Sequence, residues 1–254
     1  MILDSFNLTG KTALVTGASR GLGQGMALAL AEAGADVAGL AREGSAQTGE
    51  AVRTLGRRYH PVACDLSTSS VAQLNQVVAG TVATLGRLDI LVNNAGMIRR
   101  SPALEFSESD WDDVLDANLK AAFFLAQAAA RVMIPQGGGK IINIASMLSF
   151  QGGINVLSYA AAKSGLAGLT RALANEWAPH GINVNAIAPG YMATDNTAPL
   201  RADPNRNTSI LARIPAGRWG TPDDLKGAVV FLASAASDYM NGAIVPIDGG
   251  WLGR

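Results

Sequence analysis

The sequence has very little cysteine and histidine: among 254 residues there are one cysteine, Cys64, and two histidines, His60 and His180. A single cysteine excludes an intramolecular disulfide. The absence of a cysteine and histidine cluster, and of a His-Glu-x-x-His motif, argues against a structural or catalytic zinc site. We therefore expect no bound metal.

The chain also lacks an excess of either charge, because its 20 basic residues balance its 20 acidic ones without a run of like charge. This balance argues against a nucleic-acid-binding tail or a basic membrane-binding surface. No apolar run approaches the ~18 residues of a membrane span, and the first residues do not resemble a signal peptide. We therefore expect a cytoplasmic protein that binds a small molecule and has no nucleic-acid or membrane partner.

Short apolar runs alternate with helical patterns along the whole chain. This alternation is typical of βαβ units and predicts an α/β fold: a single doubly wound (Rossmann) domain over residues 1–254, with about seven parallel strands and helices on both faces. The strands are predicted at 12–16, 36–40, 61–63, 90–92, 140–144, 183–187 and 244–247, and the main helices at 22–33, 71–85, 110–133, 158–177 and 222–233. Residues 194–218 show no clear period and are predicted to form an irregular substrate lid.

A glycine-rich segment, Thr16 to Gly23, follows the first predicted strand and precedes the first predicted helix. Glycines at such a turn let backbone N–H groups approach a pyrophosphate at a helix N-terminus. The Gly-x3-Gly-x-Gly spacing departs from the usual Gly-x-Gly-x-x-Gly pattern. The evidence for a phosphate-binding loop is therefore the position of the glycine segment between a strand and a helix. The segment indicates a dinucleotide site.

The end of the second predicted strand bears on the choice between NAD and NADP. An acid is expected there in an NAD enzyme, but the sequence has Ala41 followed by Arg42. Arg42, together with Arg20 in the glycine segment, could pair with the additional phosphate of NADP. These residues favour NADP(H) and do not exclude NAD(H).

Ser146, Tyr159 and Lys163 provide a hydroxyl, a phenol and an ammonium group suited to carbonyl reduction. Tyr159 and Lys163 are four residues apart and therefore share one face of a predicted helix. A nearby cation should lower the pKa of the phenol toward working pH and make Tyr159 a proton donor.

These segments together resemble the short-chain dehydrogenase/reductase family over nearly the whole chain. Further matching motifs are Asp65-Leu66, Asn93-Asn94-Ala95-Gly96, Asn118, and Pro189-Gly190 followed by Thr194. The resemblance implies that Ser146, Tyr159, Lys163 and Asn118 are catalytic, with Asn118 holding a proton-relay water. It also implies a homotetramer with dihedral symmetry. The residues expected to bind the cofactor are Gly17, Ser19, Arg20, Gly21, Leu22, Gly23, Arg42, Asp65, Leu66, Asn93, Ala95, Gly96, Tyr159, Lys163, Pro189, Gly190, Met192 and Thr194.

Other segments resemble a subgroup of this family that acts on 2-keto-3-deoxy sugar acids from uronate breakdown. They are residues 97–100, 145–153, 188–194 and 215–220. We expect the substrate to contact Ser146 and Tyr159, and Gln151 and Tyr191, which flank the site in sequence, to bond its hydroxyls; its carboxylate needs a cation, which we expect to be Arg100 or an arginine of the lid. Candidates for that cation are Arg99, Arg100, Arg201, Arg206 and Arg213. Two alternatives stay open: a 3-oxoacyl carrier-protein reductase, and a non-catalytic cofactor-binding protein.

Overall fold

The computed structural model describes all 254 residues. A seven-stranded, entirely parallel sheet forms its centre, in the order β3-β2-β1-β4-β5-β6-β7. The strands are β1 (Thr12–Thr16), β2 (Asp36–Ala41), β3 (Tyr59–Ala63), β4 (Ile90–Asn93), β5 (Gly139–Ile144), β6 (Ile182–Pro189) and β7 (Ile244–Ile247). The predicted doubly wound fold is confirmed.

Nine α-helices accompany the sheet. They are α1 (Gly21–Glu32), α2 (Ala46–Thr54), α3 (Val71–Leu85), α4 (Glu108–Leu115), α5 (Ala121–Met133), α6 (Leu157–Trp177), α7 (Ala198–Ala202), α8 (Pro204–Arg213) and α9 (Lys226–Ala233). No helix combines the length and the apolar character needed to cross a membrane.

Helices cover both faces of the sheet because alternate strand residues point to opposite sides. Ala13 and Val15 of β1 lie in a buried cluster with residues of α1 and α9. Leu14, between them, lies in the cluster on the other face with residues of α3, α5 and α6. All five residues of β1 are buried, which explains why this strand reads as a continuous apolar run.

Two helical predictions require correction. The long helix predicted at 110–133 is divided into α4 and α5 by a π-helical turn at Asp116–Lys120. Continuous apolar periodicity does not reveal such a turn, which changes the hydrogen-bond step without ending the helix. Helix α2 was not predicted, because Thr48 and Gly49 lower its helix propensity; in the structure Gly49 lies against the ring of Tyr59 on β3.

The predicted lid at 194–218 is wrong in its local structure, because it contains two helices, α7 and α8, rather than irregular chain. Asp203 caps α8 by accepting hydrogen bonds from the backbone of Asn205 and Arg206. Pro204 occupies the first helical position. These start signals form a helix of low apolar content, whose only buried residue is Ile210.

Chain order reverses between β1 and β4, which are neighbours in the sheet. A doubly wound sheet opens a crevice outside the carboxyl ends of its strands at such a point. The glycine segment, Asn93 to Gly96, Ser146 and Pro189-Gly190 all follow carboxyl ends of strands. The fold therefore gathers the predicted site residues along one edge.

Candidate active site

The glycine segment forms a tight turn that side chains would fill. Gly17 has φ +69°, and a Cβ there would lie 2.8 Å from Nδ2 of Asn94. A Cβ on Gly23 would come within 2.1 Å of the Gly17 carbonyl oxygen. Helix α1 then begins at Gly21, and no side chain caps its first N–H groups. This arrangement is a cradle for a phosphate group at a positive helix end.

Thr16 and Asn94 hold this cradle against the segment after β4. The Thr16 hydroxyl oxygen accepts hydrogen bonds from the backbone N–H groups of Asn94 (2.9 Å) and Ala95 (2.8 Å). The Asn94 amide donates in turn to the Thr16 carbonyl oxygen at 2.8 Å. Asn94 was missing from the predicted site, although its place in the Asn-Asn pair was a usable signal.

Asn93, which was expected to bind the cofactor, has its side chain directed into the fold. Its amide donates to the Ala122 carbonyl oxygen at 3.1 Å and to Oδ1 of Asn143 at 3.0 Å. The side chain is 4% exposed. Its amide group therefore joins β4 to α5 and β5.

Charged groups at the ends of β2 and β3 lie close together. Arg42 is largely exposed and has only a distant carboxylate partner, Glu43 at 3.7 Å. Hydrogen bonds from Ser67 hold the pKa of the Asp65 carboxyl below its usual value, burial opposes them, and the positive charge of Arg42 adds to the lowering. Arg20 forms an exposed ion pair of 3.0 Å with Asp195 at the start of the lid.

Ser146 follows β5 and begins a short helical turn. Its Oγ accepts a hydrogen bond from the Leu148 backbone at 3.2 Å, which leaves its own hydrogen available to the Tyr159 phenol or to a bound substrate. Ser149 joins this turn to α6, because its hydroxyl donates to the Lys163 carbonyl oxygen at 2.7 Å. The turn thereby fixes Ser146 relative to the helix that carries Tyr159 and Lys163.

Tyr159 and Lys163 lie one turn apart on α6, as predicted. The Lys163 Nζ is 5.5 Å from the centroid of the Tyr159 ring. It donates to the Ile144 carbonyl oxygen at 2.7 Å and is almost fully buried. Burial lowers the pKa of Lys163 from 10.5 to about 8, so the group is still mostly charged near neutral pH.

The expected lowering of the Tyr159 pKa is wrong for the cofactor-free protein. Burial raises the pKa of the phenol, while the hydrogen bond with Ser146 and the positive charge of Arg100 act in the opposite direction. The phenol is therefore fully protonated near neutral pH and can donate its proton. Sequence spacing placed the cation correctly but did not include the cost of burying a phenolate.

Asn118 lies in the π-helical turn between α4 and α5. Its amide donates to the carbonyl oxygens of Met97 (2.9 Å) and Val114 (2.8 Å), and its Oδ1 is buried without a hydrogen-bond partner. A Cβ placed on Gly96 would lie 2.4 Å from this Oδ1 and 3.7 Å from the Lys163 Nζ. The unused acceptor therefore faces the space beside the lysine, where a water or a ligand hydroxyl can satisfy it.

The site offers groups and free space that match a nicotinamide dinucleotide. The glycine turn leaves room for a phosphate, the arginines at one end are accessible, and the buried acceptor of Asn118 has no partner within the protein. Lys163 places an ammonium group beside Tyr159 at the other end. The donors, acceptors and free space all fit such a cofactor.

The arginines predicted to bind the substrate carboxylate differ in the ion pairs and hydrogen bonds that they already form within the protein. Arg99 pairs with Asp110 and Asp113, each at 3.1 Å. Arg201 donates to the Thr194 carbonyl oxygen at 3.0 Å. Arg206 is exposed on α8 without an ion pair, far along the lid in sequence.

Arg100 is exposed, forms no ion pair, and acts electrostatically on Tyr159. Arg100 is thus an exposed cation without an ion pair whose charge acts on the phenol.

An aromatic cluster joins the lid to the loop after β6. Tyr191 lies with its ring centroid 5.4 Å from that of Trp219 and 4.8 Å from that of Trp251. Gln151 accepts a hydrogen bond from Trp251, and Arg213 stacks over the same indole at 4.0 Å. The cluster therefore brings together three of the predicted substrate-binding candidates, namely Gln151, Tyr191 and Arg213.

The sequence did not predict Trp219 and Trp251 as residues of the site, since nothing in it links the last residues of the chain to the lid.

The parallel fold with its switch point, the phosphate cradle, and the Ser146, Tyr159 and Lys163 group define a nicotinamide-dependent oxidoreductase. The family model described as enoyl-(acyl carrier protein) reductase matches residues 17–252, and the chain belongs to the short-chain dehydrogenase/reductase family.

Three relatives illustrate the match. The 2-dehydro-3-deoxy-D-gluconate 5-dehydrogenase of Escherichia coli strain K12 is 60% identical over 255 residues, with full coverage of both chains. A solved structure from Agrobacterium tumefaciens with bound NADP has 54% identity and a TM-score of 0.93, covering 99% of this chain and all of the other. The gluconate 5-dehydrogenase of Burkholderia cenocepacia J2315, in complex with NADP and tartrate, has 41% identity and a TM-score of 0.95 with full coverage.

Proposed function

We propose that this enzyme interconverts a keto group and a secondary alcohol on a 2-keto-3-deoxy sugar acid, in the breakdown of uronates. The reaction is that of a 2-dehydro-3-deoxy-D-gluconate 5-dehydrogenase, the activity named for the Escherichia coli relative that matches along its whole length. The observation on this chain that carries the proposal is the exposed Arg100, which forms no ion pair and whose positive charge acts on the protonated Tyr159. It offers a cation for an acid substrate next to a proton donor for its carbonyl.

In this mechanism the bound cofactor supplies or accepts the hydride. During reduction the Tyr159 phenol gives its proton to the oxygen of the substrate carbonyl, and the Ser146 hydroxyl donates a hydrogen bond to the same oxygen. The Lys163 ammonium group holds positive charge beside the phenol and stabilises it when the proton has left. A water held between Lys163 and Oδ1 of Asn118 returns a proton. In oxidation the same groups act in reverse, with Tyr159 as the base.

We further propose that the cofactor is NADP(H). Arg42 at the end of β2 is accessible to a phosphate, and the preceding Ala41 offers no acid to ribose hydroxyls. Two structurally similar proteins hold NADP, which supports this choice. Release of Arg20 from Asp195 would provide a second cation.

The carrier-protein alternative requires a basic surface at the mouth of the cleft, because carrier proteins are acidic. Arg99, which would contribute to that surface, is neutralised by Asp110 and Asp113. Arg100, next to the neutralised Arg99, suits a small acid better than an acidic protein. The non-catalytic alternative leaves the complete group of Ser146, Tyr159, Lys163 and Asn118 without a role.

The remaining parts of the proposal concern assembly and location. A homotetramer is supported by exposed apolar side chains, including Trp111 on α4 and Leu157 at the start of α6, whereas a cytoplasmic location stays a prediction from the sequence. Both side chains would be covered by another subunit. Light scattering of the purified protein should give four times the chain mass, and the mass of one chain would reject the assembly.

The function is tested by incubating the enzyme with 2-keto-3-deoxygluconate and NADP⁺ and identifying the product by mass spectrometry. A product lighter by two hydrogens, formed together with NADPH, is expected. Tyr159→Phe should lower the rate by about 10²–10⁴-fold, as expected for a lost general acid or base, with unchanged NADPH binding. Wild-type inactivity on this substrate would reject the function, and near-normal turnover of Tyr159→Phe would reject the mechanism.

A further inference from the structure

The side-chain oxygen of Gln151 accepts two hydrogen bonds from neighbouring side chains. Oε1 accepts a hydrogen bond from Nε1 of Trp251 at 3.3 Å and another from Nη2 of Arg213, also at 3.3 Å. The indole N–H and the guanidinium group can only donate, so the amide cannot be flipped without opposing donors to donors. The orientation of Gln151 is therefore determined, and its NH₂ group makes no hydrogen bond within the protein.

Gln151 lies in the same turn as Ser146. Its backbone N–H donates to the carbonyl oxygen of Met147 at 3.1 Å, and Met147 directly follows Ser146. On the other side, the Trp251 ring packs against Tyr191, which follows Pro189-Gly190. Gln151 thus joins the loop after β5 to the residues that pack on the loop after β6, the two loops that border the reacting groups.

Trp251 is firmly held although it is the fourth residue from the end of the chain. It is 5% exposed and belongs to a buried cluster with Met147, Ile210 and Ile214. The Asp248 carboxylate fixes the turn that carries Trp251, because it accepts hydrogen bonds from the backbone N–H groups of Gly250 and Leu252, each at 2.9 Å. Its indole N–H is consequently a fixed donor toward Gln151.

Arg213 is fixed by the same indole. Its guanidinium carbon lies 4.0 Å from the Trp251 ring centroid, a cation–π contact that leaves further N–H donors beside Gln151. Trp251 thereby orients Gln151 directly and through Arg213.

We infer that Gln151 determines specificity by donating to an acceptor oxygen of the substrate, and that Trp251 is its positioning residue. The inference rests on the proposed function and deepens it. Carbonyl and carboxylate oxygens only accept hydrogen bonds, and a 2-keto acid carries both besides the keto group that reacts. A fixed NH₂ donor suits such an oxygen and disfavours groups that must donate.

Two variants separate the roles, and a third is a matched control. Gln151→Glu retains acceptors for Trp251 and Arg213 but removes the NH₂ donor. Trp251→Phe retains the ring and removes only the indole N–H. Trp219→Phe removes a different indole N–H from the same aromatic cluster, the one that donates to Asn207 at 2.7 Å, and does not touch Gln151.

The kcat and KM for the keto acid should be measured with saturating NADPH, together with the Kd for NADPH by titration. We expect Gln151→Glu to raise KM about tenfold and Trp251→Phe about threefold, the range of one lost or loosened hydrogen bond. Trp219→Phe should change KM less than about twofold on the same scale. The kcat and the NADPH Kd should stay near wild type in all three variants.

An unchanged KM in Gln151→Glu, or equal effects of Trp219→Phe and Trp251→Phe, would overturn the inference while leaving the proposed function intact. A wild-type enzyme inactive on the keto acid would reject both.

Discussion

Replacing the buried Lys163 by methionine should change how the stability of the protein depends on pH. Lys163 is 3% exposed, and burial lowers its pKa from 10.5 to about 8. Keeping the ammonium group charged in the folded protein therefore costs about 3 kcal/mol at neutral pH, at about 1.4 kcal/mol for each unit of pKa. Methionine has a similar length and no charge, so it removes this cost together with the hydrogen bond to Ile144.

The sign follows from proton binding. Between pH 8 and 10.5 the unfolded chain holds a proton on Lys163 that the folded protein has released, so the free energy of unfolding rises with pH in this interval. Below pH 8 both states are protonated and the group contributes no slope. From about pH 7 to about pH 9.5 the wild type should gain about 2 kcal/mol relative to Lys163→Met.

Urea unfolding of both proteins at equal concentration, at about pH 7 and about pH 9.5, measures this difference. Subtracting the two proteins cancels the other titrating groups that they share. A difference that does not change between the two pH values would refute the claim that Lys163 is charged and desolvated in the folded protein. A lysine whose charge is stabilised by an acid would keep its proton in both states over this interval and would likewise give no change.

Three further predictions concern the cofactor and the acid group of the substrate. Gly17→Ala should abolish NADPH binding measured by calorimetry, because φ +69° and the 2.8 Å approach to Asn94 leave no room for a Cβ; wild-type affinity would contradict the phosphate cradle. Arg42→Ala should raise the NADPH Kd by about tenfold or more, the value of one charge-assisted hydrogen bond, and spare NADH; equal effects would remove Arg42 from the phosphate site. Arg100→Ala should raise KM for the sugar acid about tenfold, again the value of one charge-assisted hydrogen bond. Arg99→Ala should leave KM unchanged, because Arg99 is already paired with two carboxylates. Equal KM values for the two variants would reject Arg100 as the carboxylate partner.

Most of the architecture could be predicted because its causes are local. Several strands are short, nearly aliphatic runs, and the glycine segment stands between the first strand and the first helix. The four-residue spacing of Tyr159 and Lys163 already implied one helix face. The helices in the lid escaped prediction because α8 buries a single residue and depends on the cap at Asp203.

The environment of the site could not be predicted, because it depends on contacts between segments far apart in the chain. Trp251 and Gln151 are 100 residues apart and meet only after the last turn folds onto the lid. The pKa of Tyr159 depends on how deeply α6 is buried, which the spacing of residues does not contain. Likewise, Arg99 and Arg100 are equivalent in sequence, and only the position of α4 shows that the first is neutralised.

The central claim is that this enzyme reduces the keto group of a sugar acid with NADPH. It is tested most directly by the ratio of kcat/KM values for the 5-keto form of 2-keto-3-deoxygluconate and for an acetoacetyl thioester, measured with the same NADPH concentration. A ratio well above one, lost when the cation of Arg100 is removed, is the predicted result. A ratio below one would contradict the account and favour a carrier-protein reductase.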